Sequence, residues 1–215
     1  MGSINTHRSF LSYLSDITNI RILVIDYRLA PEHPFPASLE DASEAYQWLF
    51  TQEEGPIYIA GDSAGGGLVF ALLLSLKDQG LPFPRAAICF SPWLDLTFQS
   101  KTFKTNKEFQ HYIPLLSTIA SLYVRDMNSD NPYISPVYGN LGGLPPILMQ
   151  LGKNEVLLAE AFAVFEKIKQ NNGSVILEVW NNMFHAWPYF AAFLPEAKEA
   201  LRHVKKFIKG LDESC

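Results

Sequence analysis

The hydrophobic pattern of the chain alternates between two periods. Short, nearly unbroken apolar runs occupy residues 22–26, 57–60, 86–90, 147–151 and 175–180, with the length and composition of strands covered on both faces. Between them lie longer segments whose apolar residues recur at helical spacing: 7–17, 38–51, 66–79, 115–125, 156–171 and 195–209. Strands that alternate with helices predict the α/β class, with a mostly parallel sheet covered by helices on both faces. Residues 97–140 break the alternation. They carry no strand signal, several prolines, and the aromatics Phe98, Phe103, Phe109, Tyr112, Tyr123 and Tyr133. This stretch is expected to form a lid or pocket wall inside a single domain spanning 1–215, with plain packing as the competing reading.

Directly after the run 57–60 comes Gly61-Asp62-Ser63-Ala64-Gly65-Gly66. Glycines two places either side of a serine, between a strand and a helix, describe a nucleophile elbow. The chain turns so sharply that bulky neighbours would clash, and the turn lifts the serine hydroxyl above the sheet. The helix behind it, with its apolar run 68–76, points its N-terminus at the serine, where partial positive charge favours a developing anion. The same short pattern also occurs in ordinary turns. Nucleophilic chemistry therefore requires a base and an acid that orients it.

Both follow, in the order serine, acid, histidine that α/β-hydrolases use, each at the C-terminal end of a successive strand. The run 147–151 leads into Gly152-Lys153-Asn154-Glu155, and the run 175–180 into Asn181-Asn182-Met183-Phe184-His185. Glu155 and His185 thus fall just past two consecutive strands, where such a sheet holds its ligand crevice. In this reading His185 takes the proton of Ser63 and later returns it to the leaving group, while Glu155 holds the imidazole in the useful tautomer. Each residue also has a plainer reading. Glu155 is suited to the first turn of a helix over 156–170, and His185, between Phe184 and Trp187, to an aromatic core. Order and strand-end placement together favour the triad. Phe184 and Trp187 are candidates to line the same pocket, again with core packing as the alternative.

The other histidines carry less. His7 and His33 lie in loops or at element starts, His111 in a polar stretch, and His203 on a charged C-terminal helix. None has a second ligand at metal spacing, so no metal site is expected. The 215 residues, 48% of them hydrophobic, suit one domain with a substantial core. A formal charge of −5 without a basic run argues against a nucleic-acid partner. No apolar stretch reaches the ~18 residues of a membrane span. Cys89 lies in an apolar strand and Cys215 ends the chain. A disulfide between them is not expected, which fits a reducing, cytoplasmic location. Met1-Gly2-Ser3-Ile4-Asn5-Thr6 fits the myristoylation template.

The chain resembles the hormone-sensitive-lipase group of α/β-hydrolases, which includes bacterial carboxylesterases and arylacetamide deacetylases. The resemblance spans almost the whole chain. It rests on residues 26–37 (Asp-Tyr-Arg-Leu-Ala-Pro-Glu-His-Pro-Phe-Pro-Ala), the elbow, and Ser91-Pro92-Trp93-Leu94-Asp95. Further matches are Tyr133-Ile134-Ser135-Pro136, Leu144-Pro145-Pro146, residues 152–158 and Met183-Phe184-His185. It implies hydrolysis of carboxylic esters, usually with short acyl chains, on a small-molecule substrate and without metal or organic cofactor. It also implies that residues 2–8 match an interior family segment, which accounts for the myristoylation-like start. Most members have aspartate as the triad acid; a subset resembles this chain in having glutamate there.

Two departures follow from the same comparison. Members of the group carry a His-Gly-Gly-Gly loop just upstream of the segment that resembles residues 2–8. Two of its N–H groups join that of the residue after the nucleophile, here Ala64, in the oxyanion hole. Removing one such donor typically costs about 10²–10³ in rate. Members also open with a cap and three strands, the third of which lies between the strands matching 22–26 and 57–60. The expectation is thus an N-terminally incomplete version of a larger enzyme, of impaired activity, whose sheet either re-pairs directly or is left with a slot. Two other functions compete with ester hydrolysis. One is a non-catalytic small-molecule-binding protein, as in the plant gibberellin receptors, which resemble the group but lack the histidine that His185 supplies here. The other is an amidase or acyl-transfer activity of the same triad.

Overall fold

The computed structural model describes residues 2–99 and 111–213; Phe103, Phe109 and Cys215 lie outside the described residues. Among these, four strands form one sheet: β1 (Tyr58–Asp62), β2 (Ala86–Phe90), β3 (Ile147–Gly152) and β4 (Val175–Trp180). They stand in the order β1-β2-β3-β4, and every neighbouring pair is parallel. Parallel neighbours need crossovers, and helices supply them: α3 (Ala64–Asp78) after β1, α4 (Ile113–Val124) after β2 and α5 (Leu158–Gln170) after β3. Helices α1 (Ile4–Thr18) and α2 (Ala37–Gln52) precede β1, and α6 (Pro195–Asp212) follows β4.

The two-residue period of a strand decides which layer each side chain joins. Ala87, Cys89, Ile147 and Met149 face the core built on α3 and α5. Their neighbours Ile88, Phe90 and Leu148 point the other way, onto Phe10 and Leu14 of α1 and Leu201 and Val204 of α6. β2 and β3 are buried along their whole length, as central strands with helices on both faces must be. Helix α3 is apolar nearly all round because α2 covers it: Leu39, Ala42 and Tyr46 pack on Ala71, Leu72 and Leu76. The Cys89 thiol is free and fully buried, and that burial raises its pKa. No helix among the described residues is long and apolar enough to cross a membrane.

Helix α1 begins three residues before the expected start because Ser3 caps it. Its side chain accepts from the Thr6 N–H while the Thr6 side chain accepts from the Ser3 N–H, so orphan donors at the helix start are satisfied reciprocally. The expected strand at 22–26 is a correction: residues 21–27 run without regular structure. No backbone hydrogen bond joins them to the rest of the described chain. Their apolar composition suits a strand, but composition alone does not make one, since a strand exists through its ladder. Their nearest sheet edge, β1, pairs only with β2.

The segment is pinned at its ends instead, by Arg21 to Glu53 at 2.9 Å and by Arg28 to Asp41 and Glu40. Of the two arrangements open to the sheet, the structure has the slot. A cleft of about 1350 Å³ separates the segment from β1, lined by Ile22, Val24 and Ile25 on one wall and Ile59 and Gly61 on the other.

Candidate active site

The cleft runs to the C-terminal end of the sheet, where Ser63, Glu155 and His185 all line it. Ser63 sits between β1 and α3 with φ 49° and ψ −118°, a conformation that costs energy for any residue with a side chain. Its surroundings over-determine it. The Ser63 N–H donates to the carbonyl of Phe90 at 2.9 Å, and its own carbonyl accepts from Trp93 N–H at 2.9 Å and Gly67 N–H at 3.2 Å. The elbow also closes on itself: a Cβ on Gly61 would overlap the Gly65 carbonyl. Only glycine fits there, as the sequence pattern implies. Ala64 opens α3, so its N–H is one of those a helix leaves without an intrahelical partner.

Glu155 occupies the turn after β3, its side chain only 1% exposed. One carboxylate oxygen, Oε1, receives the Ser91 hydroxyl at 2.7 Å and the Gly152 N–H at 2.5 Å. The other, Oε2, lies 2.8 Å from His185 Nδ1, and His185 Nε2 lies 2.9 Å from Ser63 Oγ. A carboxylate only accepts, so Nδ1 carries the hydrogen and Nε2 is left to accept from the serine hydroxyl. The structure thus brings together Ser63, Glu155 and His185, which lie far apart along the chain. Glu155 stands before α5 rather than in its first turn, and His185 is at the cleft rather than in an aromatic core.

The aromatic neighbours divide. Phe184 is half exposed and lines the cleft. Trp187 does not: it is fully buried in the layer of α1 and α6, 5.8 Å from Trp180. The cause is a 3-10 turn over Trp187–Phe190 just after His185, which folds Trp187 inward. From the stretch 97–140, Tyr112, Leu116 and Ile119 contribute to the cleft wall.

Three polar neighbours were not singled out from sequence. Ser91, itself at φ 48°, links Glu155 to the histidine loop by accepting the Ala186 N–H at 3.1 Å. His7 and Tyr189 meet beside the elbow at 2.5 Å across 182 residues of sequence. No spacing rule reaches that far. Burial, with the neighbouring charge of Asp62, raises the pKa of the Tyr27 and Tyr189 hydroxyls. His203, also set aside, pairs with Glu178 at 2.9 Å on the far side of the sheet. Among the described residues no group of three or more His, Cys, Asp or Glu is arranged to hold a metal ion.

Known proteins resemble the chain in sequence and in fold. A family profile described as the alpha/beta hydrolase fold matches residues 1–189. An acetyl-hydrolase of Streptomyces hygroscopicus is 38% identical over 213 residues, covering 97% of this chain and 71% of that protein. Among solved structures, the esterase EstE5 soaked by p-nitrophenyl butyrate superposes with a TM-score of 0.93 at 45% identity, covering 98% of this chain and 72% of that one. An esterase from the bacterial hormone-sensitive lipase family gives a TM-score of 0.92 at 41% identity, with the same coverage of 98% and 72%.

Proposed function

The chain belongs to the α/β-hydrolase family, and on that premise we propose that it hydrolyses carboxylic esters with short acyl groups, using Ser63, His185 and Glu155. The observation that carries the reading is the imidazole of His185 held between Ser63 Oγ at 2.9 Å and Glu155 Oε2 at 2.8 Å. Ser63 Oγ attacks the acyl carbon while its proton passes to His185 Nε2. The negative charge then forming on the carbonyl oxygen is met by the Ala64 N–H and the N-terminal end of α3. His185 next gives its proton to the departing alcohol, leaving an acyl-serine. A water molecule repeats the sequence on that ester, releasing the acid and restoring Ser63. Glu155 balances the charge that His185 carries between the two transfers, and its burial holds the ring in register.

The acyl preference rests on the relatives, one named an acetyl-hydrolase and one soaked by a butyrate ester. On this reading Phe184, Tyr112, Leu116 and Ile119 form the apolar wall beside the acyl group.

The test is labelling with a fluorophosphonate followed by mass mapping, alongside turnover of p-nitrophenyl acetate, butyrate and palmitate. The expected result is modification at Ser63, loss of labelling in Ser63→Ala, and faster cleavage of the two short esters. Folded protein that takes no label overturns the reading. Ligand binding without any turnover, left unchanged by Ser63→Ala, would assign the scaffold to non-catalytic binding instead.

A further inference from the structure

Asp62 ends β1 one residue before Ser63, and Tyr189 lies four residues beyond His185. His7 joins their side chains: its Nε2 lies 2.5 Å from the Tyr189 hydroxyl and 3.4 Å from Asp62 Oδ1. His7 is held from its other side as well, with Nδ1 2.9 Å from Thr6 Oγ1 and 3.0 Å from the Ser3 carbonyl. The Tyr189 ring stands edge-on to His7 at 4.8 Å and to Phe10 at 4.9 Å. Tyr27 faces Asp62 from the opposite wall of the cleft. Three elements, α1, β1 and the turn after His185, are thereby tied at one point.

This tie spans the same two segments as the Ser63–His185 pair and runs beside it. The His185 side chain is 44% exposed, so packing does little to hold the ring. Ser63 occupies a backbone conformation that persists only under constraint. We propose that Asp62, Tyr189 and His7 form a brace that sets the distance between Ser63 and His185. They are positioning residues, acting through the two side chains they hold in place. The proposal rests on the reading of Ser63 as nucleophile and His185 as its base. A misplacement of an ångström at such a pair is enough to cost about 10²-fold in rate.

The experiment uses Tyr189→Phe, which removes one hydroxyl and keeps the ring packing, with Asp62→Asn as a second variant that preserves shape. Fluorophosphonate inactivation of Ser63 separates initial binding from the bond-forming rate. The expected result is a bond-forming rate and a kcat each lowered by about 10- to 100-fold, with KM and the initial binding constant within about twofold and the melting temperature nearly unchanged. Combining Tyr189→Phe with His7→Gln should cost little more than the larger single effect, because the three act as one unit. A Tyr189→Phe protein with parental rates, or with the loss confined to KM, overturns the brace. An independent arm follows the His185 ring by proton and nitrogen NMR, where the Nδ1–H signal should broaden in Tyr189→Phe and stay sharp in the parent. Failure of the parent to take label would defeat the nucleophile reading alone, and the NMR arm would still decide the brace: an unchanged His185 signal in the variant overturns it.

Discussion

The Ser91 hydroxyl donates to Glu155 Oε1 at 2.7 Å while its oxygen accepts the Ala186 N–H at 3.1 Å, so one side chain ties the orienting carboxylate to the loop that carries His185. Ser91 directly follows β2, and its N–H donates to the Gln150 carbonyl of β3 at 2.8 Å. Its position is therefore set by the sheet. Replacing it with alanine leaves Oε1 with the Gly152 N–H alone and the buried Ala186 N–H without that acceptor. Ser91→Ala is expected to lose roughly 1–3 kcal/mol of stability and about 10²-fold in kcat with KM little altered. Urea unfolding together with steady-state kinetics on p-nitrophenyl acetate checks both numbers. Full activity in the variant would remove Ser91 from the positioning scheme.

Glu155→Gln separates orientation from shape. Two donors, Ser91 Oγ and Gly152 N–H, converge on Oε1, so the amide oxygen of glutamine takes that place and its NH₂ faces His185 Nδ1. The imidazole must then accept at Nδ1 and carry its hydrogen on Nε2, toward Ser63, in the tautomer that cannot take the serine proton. A fall of about 10⁴-fold in kcat is expected from a tautomer error of this kind, with folding preserved. Nitrogen chemical shifts of His185 report the tautomer directly, and an Nδ1–H form in the variant would contradict the argument.

The elbow supplies a sharper test of packing. A methyl group on Gly61 meets backbone, the Gly65 carbonyl, which has no rotamer with which to retreat. Gly61→Ala is expected to cost roughly 1–3 kcal/mol or more and to abolish fluorophosphonate labelling even where the protein remains folded. Gly55, whose Cβ would meet nothing within 4 Å, is the control, and alanine there should leave labelling unchanged.

How much of this was legible beforehand follows from the range of each interaction. β2 and β4 coincide with runs 86–90 and 175–180, and β3 extends 147–151 by a single residue. A buried parallel strand writes itself as a local apolar run. The proximity of Ser63, Glu155 and His185 was legible because their places follow from strand ends and chain order. Residues 22–26 read as a strand by the same local rule and are not one, because pairing is a property of the neighbour and no composition encodes it. Trp187 was open to either the pocket or the core because it stands two residues from His185, and it is in the core. The 3-10 turn at Trp187–Phe190, which reverses its direction, has no strong mark in the sequence. The contacts of His7, Tyr189 and Ser91 could not be read for a related reason: they join segments 64 to 182 residues apart.

The slot makes a prediction about dynamics. Residues 21–27 have no backbone hydrogen bonds to other parts of the described chain, and Leu23 and Val24 are 50% and 38% exposed despite their apolar character. Amides without bonded carbonyls exchange by local motion alone. Hydrogen exchange at 21–27 should therefore be complete while β2 and β3, buried throughout, are still protected by opening of the whole domain. Slow exchange at 22–26 comparable with β2 would show that the segment is paired in solution.

Glu160 offers a last test, on stability rather than rate. It is fully buried at the start of α5, where Oε1 accepts the Leu94 N–H at 2.6 Å and Oε2 has no partner among the described residues. Burial, against the pull of that hydrogen bond, raises its pKa well above the ordinary carboxylate value, and Asp95 adds to the rise. The folded protein therefore holds a proton on Glu160 that the unfolded chain releases at about pH 4.3. Stability from this site is complete below that pH and declines as pH climbs toward the folded-state value. Glutamine at 160 keeps the shape and the acceptor for Leu94 while having no proton to lose. Glu160→Gln should thus match the parent near pH 4 and exceed it increasingly between pH 5 and 8, seen as a widening gap in urea midpoints. Parallel midpoint curves for the two proteins across that range would mean that Glu160 does not hold its proton in the fold.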